Sequence, residues 1–126
     1  MKRLTQGLVL ALHQQMLAAH GGSEGVRDES LLDAALEAPY AAFAGREFFP
    51  TIEEKAARLG FGIVANHPFV DGNKRTGIMA LLVLLDLNGV TVSTNNAELI
   101  SLGLGLASGE ITYEQTVRWV RERAGV

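Results

Sequence analysis

No cysteine occurs in this chain of 126 residues, which excludes a disulfide framework, a thiolate metal site and a thiol nucleophile. Only three prolines occur, and two of them, Pro39 and Pro68, mark places where a helix has to stop. A long apolar run is missing as well. The most apolar stretch, residues 78–87, carries Asp86 and falls far short of the roughly 20 residues a membrane span needs. It reads as a buried core helix. Nor is there an excess of positive charge: the net charge of -3 argues against non-specific nucleic-acid binding, which needs a clearly basic surface.

What remains is ordinary globular composition, 48% apolar and 20% charged. The length suits one domain with one core over residues 1–126. The N-terminal MKRLTQGLVLALHQQ is basic and then apolar, in the manner of a signal peptide. Gln6, His13 and Gln14 interrupt it and no small-residue cleavage pattern follows, so an amphipathic first helix and a cytoplasmic protein are expected.

Most apolar positions recur every three to four residues. Thr5 can cap a first helix with Leu8, Leu12 and Met16 on its inner face, ending at Gly21-Gly22. Ser30-Leu31-Leu32-Asp33 has the form of an acidic capping box for a short second helix that stops before Pro39. Thr51 is placed to cap a third, running to Asn66 with Ile52, Ala56, Leu59 and Ile63 facing inward. Asn73 is expected to cap a fourth helix, apolar almost all round, that ends at Asn88-Gly89. A fifth follows Asn96, with Leu99, Ile100, Leu102 and Leu104. A sixth opens on the capping box Thr112-Tyr113-Glu114-Gln115 and carries Val117, Trp119 and Val120. The fold class is therefore all-α, a bundle of about six helices. The segment PYAAFAGREFFP from Pro39 to Pro50 stands apart. It holds Tyr40, Phe43, Phe48 and Phe49 and reads as an irregular flap, either packed on the bundle or touching a partner.

The stretch HPFVDGNKRTG, residues 67–77, concentrates the chemistry. The amides that open the fourth helix attract anions, and Gly72 lets the backbone approach a phosphate closely. Lys74 and Arg75 add two cations there, of which arginine can grip a phosphate with two bonds. Asp71 supplies a hard oxygen for Mg²⁺. His67 can accept a proton from a hydroxyl near neutral pH, and Phe69 anchors the loop in the core. A Lys-Arg pair at a helix start runs against the helix dipole, a conflict that tends to gather at functional sites. With no cysteine and no close carboxylate–histidine pairing around His13, His20 or His67, a zinc site is not supported. Arg27 and Asp28 read as a turn and a helix cap, and close packing is the plain account of Gly103 and Gly105 inside a helix.

HPFVDGNKR resembles the signature of the Fic/Doc family, H-x-F-x-[DE]-G-N-G-R in Fic adenylyltransferases and H-x-F-x-[DN]-[AG]-N-K-R in the Doc toxins. Lys74 stands where Fic enzymes have their second glycine, so the chain is similar to the Doc branch. Ile78 occupies the place of a second arginine found in many Fic proteins. ALHQQ followed by HGG, GVRDESLLDAAL and LASGEIT extend the likeness to death-on-curing toxins over nearly the whole chain. The resemblance implies a helical toxin of a toxin–antitoxin system that moves the γ-phosphate of ATP, with Mg²⁺, onto a threonine of elongation factor Tu. It implies His67 as base, Asp71 as metal ligand, and Gly72, Asn73, Lys74 and Arg75 as phosphate holders. Lys74 would crowd the pocket that holds the α-phosphate in Fic enzymes and so favour a reversed nucleotide. Many Fic proteins carry an inhibitory [ST]-x-x-x-E-[GN] helix. The near match TNNAEL at residues 94–99 lacks the final residue, so a separate Phd-like antitoxin is the expected inhibitor, with neither nucleic acid nor membrane as partner. Retained AMP transfer, and a silent antitoxin-binding module, are the competing readings.

Overall fold

Four polar residues placed just ahead of apolar periodicity start four of the helices, because each side chain satisfies an amide that the first turn leaves unpaired. The computed structural model describes residues 1–125. Helix α1 covers Gln6–His20, α2 Glu29–Glu37, α3 Ile52–Asn66, α4 Asn73–Leu87, α5 Asn96–Ser108 and α6 Tyr113–Ala124. Thr5 caps α1, Asn95 caps α5, and Thr51 and Thr112 form reciprocal capping boxes with Glu54 and Gln115. The all-α bundle expected from the periodicity is what forms, with one two-stranded hairpin as the sole sheet among the described residues.

Two expected caps lie elsewhere. Ser30 does not cap α2; Asp28, read with Arg27 as a turn and cap, does, its carboxylate accepting the Leu31 amide at 3.2 Å and the Ser30 hydroxyl at 2.6 Å. Asn73 is not the cap of α4 but its first residue. Gly72, in the left-handed region at φ 79°, takes the capping position, which frees the Asn73 side chain for the loop.

Two helix faces also differ from expectation. In α1 the buried residues are Val9, Leu12, His13 and Leu17, while Leu8 is 38% exposed. A histidine counted as polar proves to be part of the core, and this rotates the buried stripe. In α5, Leu102 and Leu106 are buried, but Ile100 and Leu104 face solvent because α5 is covered on one side only.

Helices α3 and α4 form the largest contact in the molecule, and two glycines set their separation. A Cβ at Gly77 would lie 2.7 Å from Val64 Cγ2 and 3.1 Å from the Gly60 carbonyl; one at Gly60 would lie 3.0 Å from Leu81 Cδ1. Around this crossing Leu59, Ile63, Leu81, Leu84 and Leu85 are almost fully buried. The close approach fixes the end of α3 against the start of α4, the two ends that the 67–72 loop joins.

The segment expected as an irregular flap is ordered. A 3-10 turn at Ala38–Tyr40 leads into β1 (Ala42–Phe43) and β2 (Arg46–Glu47), paired antiparallel through a tip where Ala44 and Gly45 both have positive φ. Its aromatics divide in two. Phe43 and Phe48 are exposed, whereas Phe49 packs edge-on to Tyr113 and Tyr40 is half-buried beneath the Arg3 guanidinium. Lys55 of α3, almost fully buried, fastens the hairpin by donating to Glu47 at 2.8 Å and to the Phe49 carbonyl.

Gly77→Ala tests the α3–α4 spacing. Alanine gains roughly 1 kcal/mol of helix propensity over glycine, but forcing a methyl against Val64 and a backbone oxygen costs about 1–3 kcal/mol. A lowered urea midpoint is expected; an unchanged or raised midpoint would mean that the helices do not need this close approach.

Candidate active site

His67 ends α3 in the left-handed conformation, φ 53° and ψ 53°, which a non-glycine residue adopts only under constraint. Pro68 follows and cannot continue a helix. The chain then turns inward at Phe69, which is fully buried, and outward again to Val70, Asp71 and Gly72 before α4 begins.

Asn73 holds this loop together from inside. Only 4% exposed, its Oδ1 accepts the Phe69 amide at 2.9 Å and its Nδ2 donates to the Phe69 carbonyl at 3.0 Å. That pairing fixes which end of the amide is which, since a flip would set donor against donor and acceptor against acceptor. The second Nδ2 hydrogen points at His67 Nδ1, 3.2 Å away. In this geometry the neutral imidazole carries its proton on Nε2. To take a proton from a hydroxyl, His67 has to release the long contact with Asn73, either shifting its proton to Nδ1 or turning the ring.

His13 braces the loop from the other side. Its ring stacks on Phe69 with centroids 3.9 Å apart and planes 8° from parallel, and its Nε2 lies 2.8 Å from the Asp71 carbonyl. This residue reached the site from α1, 58 positions away in sequence. The Asp71 side chain in turn points outward: Oδ2 accepts the Ser23 amide at 3.2 Å and Oδ1 the Gly72 amide at 2.9 Å. Those amides, helped by Arg75 and His13, hold its carboxyl below the usual carboxylate range. Gly22 makes the approach possible, because a Cβ there would sit 2.8 Å from Asp71 Oδ2. Asp71 is therefore ionised throughout the neutral range, exposed, and left with lone pairs for a cation.

Beyond the loop, α4 opens with the amides of Asn73, Lys74 and Arg75, which by helical geometry have no partner within the helix. The side chains of Lys74 and Arg75 are exposed beside them. Gly103 of α5 lies against the stem of Lys74; a Cβ there would be 3.7 Å from Lys74 Cβ. Gly105, the other glycine of α5, has no room for a side chain against Ile111. The structure thus brings His67, Asp71, Gly72, Lys74 and Arg75 to one exposed loop and helix start. Of the Asn73 side chain it shows structural use, leaving the backbone amide for an anion. Among the described residues no three His, Asp or Glu side chains cluster as a metal cage. A cation here would have one protein carboxylate and otherwise phosphate or water oxygens, which suits Mg²⁺. Glu98, within the sequence compared with the inhibitory helix, pairs with Arg123 of α6 at 2.6 Å, and that contact holds its carboxyl below the usual range.

Sequence reasoning missed His13 and the contacts of Arg27. Arg27 reaches the carbonyls of Asn66 and His67 through its guanidinium. Both residues sit in the stretches ALHQQ and GVRDES, so the signal was there, but nothing in a linear pattern says which loop they meet.

On this helical bundle one exposed loop carries Asp71, and the helix start that follows it carries Lys74 and Arg75. The chain belongs to the Fic/DOC family, whose family model matches residues 3–85. Among characterised proteins it is 43% identical to the Toxin Doc of Mycolicibacterium smegmatis over 77 residues, 61% of this chain and 59% of that protein. It is 30% identical to the Protein kinase doc of Escherichia phage P1 over 125 residues, 99% of this chain and 98% of that one.

Asn73→Ala removes the brace, and with it the contact to His67, while keeping the side chains of His67, Asp71, Lys74 and Arg75. The buried Phe69 amide and carbonyl would both lose their partner, at about 1–3 kcal/mol each. A stability loss of that order is expected in urea denaturation, against a change near zero for Lys74→Ala on the exposed face. Equal effects from the two would show that Asn73 does not hold the loop.

Proposed function

We propose that this chain is a single Fic/Doc domain acting as the toxin of a toxin–antitoxin pair, a protein kinase that moves the γ-phosphate of ATP onto a hydroxyl of its target. The observation that carries the reading is Lys74, exposed on the first turn of α4, whose first amides have no partner within the helix, three residues after the ionised Asp71. The relative from phage P1, aligned over almost the full length of both chains, is named a protein kinase, and the mycobacterial relative a toxin. A threonine of elongation factor Tu is the proposed acceptor, and a Phd-like antitoxin the proposed inhibitor.

In this reading the amides of Asn73, Lys74 and Arg75 and the two cationic side chains grip the nucleotide phosphates. They neutralise charge as the bond from the γ-phosphorus to the bridging oxygen breaks. Asp71 would hold Mg²⁺, which would supply positive charge to offset that of the nucleotide phosphates. His67 takes the hydroxyl proton as the target oxygen bonds to the γ-phosphorus, and ADP departs. Lys74 places a bulky cation where Fic enzymes keep a glycine, so the γ-phosphate rather than the α-phosphate is presented to the acceptor. The hairpin, with Phe43 and Phe48 exposed, is the proposed surface for the protein target.

ATP labelled separately at the α- and γ-positions decides the reaction. With purified elongation factor Tu, transfer of γ-label alone is expected, falling by about 10²-fold or more in His67→Ala, as expected on loss of a general base. Transfer of α-label would make the protein an adenylyltransferase, and absence of both labels would remove the catalytic reading.

A further inference from the structure

We infer that Arg27 is a positioning residue for His67, a fork that fixes the backbone conformation aiming the imidazole; this rests on the reading of His67 as the base. The guanidinium donates from Nε to the His67 carbonyl at 2.7 Å and from Nη2 to the Asn66 carbonyl at 2.9 Å. These are among the last carbonyls of α3, acceptors that the helix leaves unsatisfied and that carry the negative end of its dipole. A planar guanidinium can reach two successive carbonyls at once; an ammonium offers one point charge with no fixed fork.

The backbone around Arg27 is tied to the same loop. The amides of Arg27 and Asp28 both donate to the Pro68 carbonyl, at 2.7 and 3.1 Å, the Val70 amide donates to Gly25, and Val26 forms a β-bridge with Phe69. Residues 25–28 thus lie as a short ribbon along 67–70, and the Arg27 side chain extends the ribbon by one more step, onto His67 itself. His67 needs such a restraint. At φ 53° it pays a conformational cost that glycine would not, and its only other tethers among the described residues are its own amide to Ile63 at 3.3 Å and the long contact from Asn73. The shortest hydrogen bond to His67 is therefore the one from Arg27. Because both bonds of the fork are exposed, with His67 at the surface and Asn66 half-buried, water can take over the carbonyls when the guanidinium is lost. The effect expected is a freed His67, not an unfolded protein.

Arg27→Met and Arg27→Lys in the full chain test this. For Arg27→Met the Cα and carbonyl ¹³C shifts of His67 should leave their left-handed values while those of α3 and α6 stay in place. In the γ-phosphate transfer assay kcat should fall by ~10-fold or more, the scale on which small misplacements act, with KM for ATP within about twofold. Arg27→Lys should recover little, and millimolar guanidinium ion should restore part of the Arg27→Met rate. Unmoved His67 shifts in Arg27→Met would overturn the inference whatever the activity. So would a kcat loss matched by a large rise in KM and a loss of thermal stability, the pattern of a purely structural residue. Shifted His67 signals with undiminished phosphate transfer would uphold the positioning role and count instead against His67 as the base.

Discussion

The pair of hydrogen bonds between the Asn73 side chain and the backbone of Phe69 is the interaction on which the rest of the site depends. In this loop of six residues the ribbon of residues 25–28 pairs with Pro68 and Val70, which leaves the buried amide and carbonyl of Phe69 between them to be satisfied by a side chain. One asparagine amide supplies both a donor and an acceptor, so a single side chain closes the turn. The same amide touches His67 on one side of the turn, and its own backbone begins α4 on the other. Moving Asn73 would move all three.

This loop is braced in layers, from buried to exposed. Deepest is the Gly60–Gly77 crossing, which sets how near the two helix ends lie. Above it Phe69 fills the core and is covered by the His13 ring, and His13 also holds the Asp71 carbonyl. Only then come the exposed groups, His67, the Asp71 carboxylate, Lys74 and Arg75, none of which contributes to the core. Chemistry and support are carried by different side chains, so each can be altered separately. Rigid support beneath exposed, charged groups is the arrangement that the proposed phosphate transfer asks for, since positioning supplies most of its rate.

Much of the fold was legible in the sequence because its signals are local. Thr5, Thr51 and Thr112 cap the helices they precede, and Pro39 and Pro68 lie just beyond the helices they end. The failures are non-local. Asn73 looked like a cap because asparagine before an apolar run usually is one; here Gly72, with positive φ, took that place and the amide was used elsewhere. His13 was read as polar, which turned the inner face of α1, because its partners Phe69 and Asp71 lie more than fifty residues on. The hairpin between Pro39 and Pro50 has strands of two residues each, too short for alternation to register, and it owes its place to the buried Lys55. At the candidate site the residue types and their spacing were evident from HPFVDGNKR. Which of those side chains brace the loop and which stay exposed depends on contacts with α1 and residues 25–28, far away in sequence.

A loop held ready by Asn73 before any nucleotide arrives is the central claim, and amide hydrogen exchange at Phe69 tests it most directly. Phe69 lies in no helix, yet its amide is buried against Asn73 Oδ1. In the free protein it should exchange as slowly as amides in the middle of α3 and α4, and adding ATP with Mg²⁺ should change it little. Fast exchange in the free protein that becomes slow only with nucleotide would mean that the ligand builds the loop, contradicting the account.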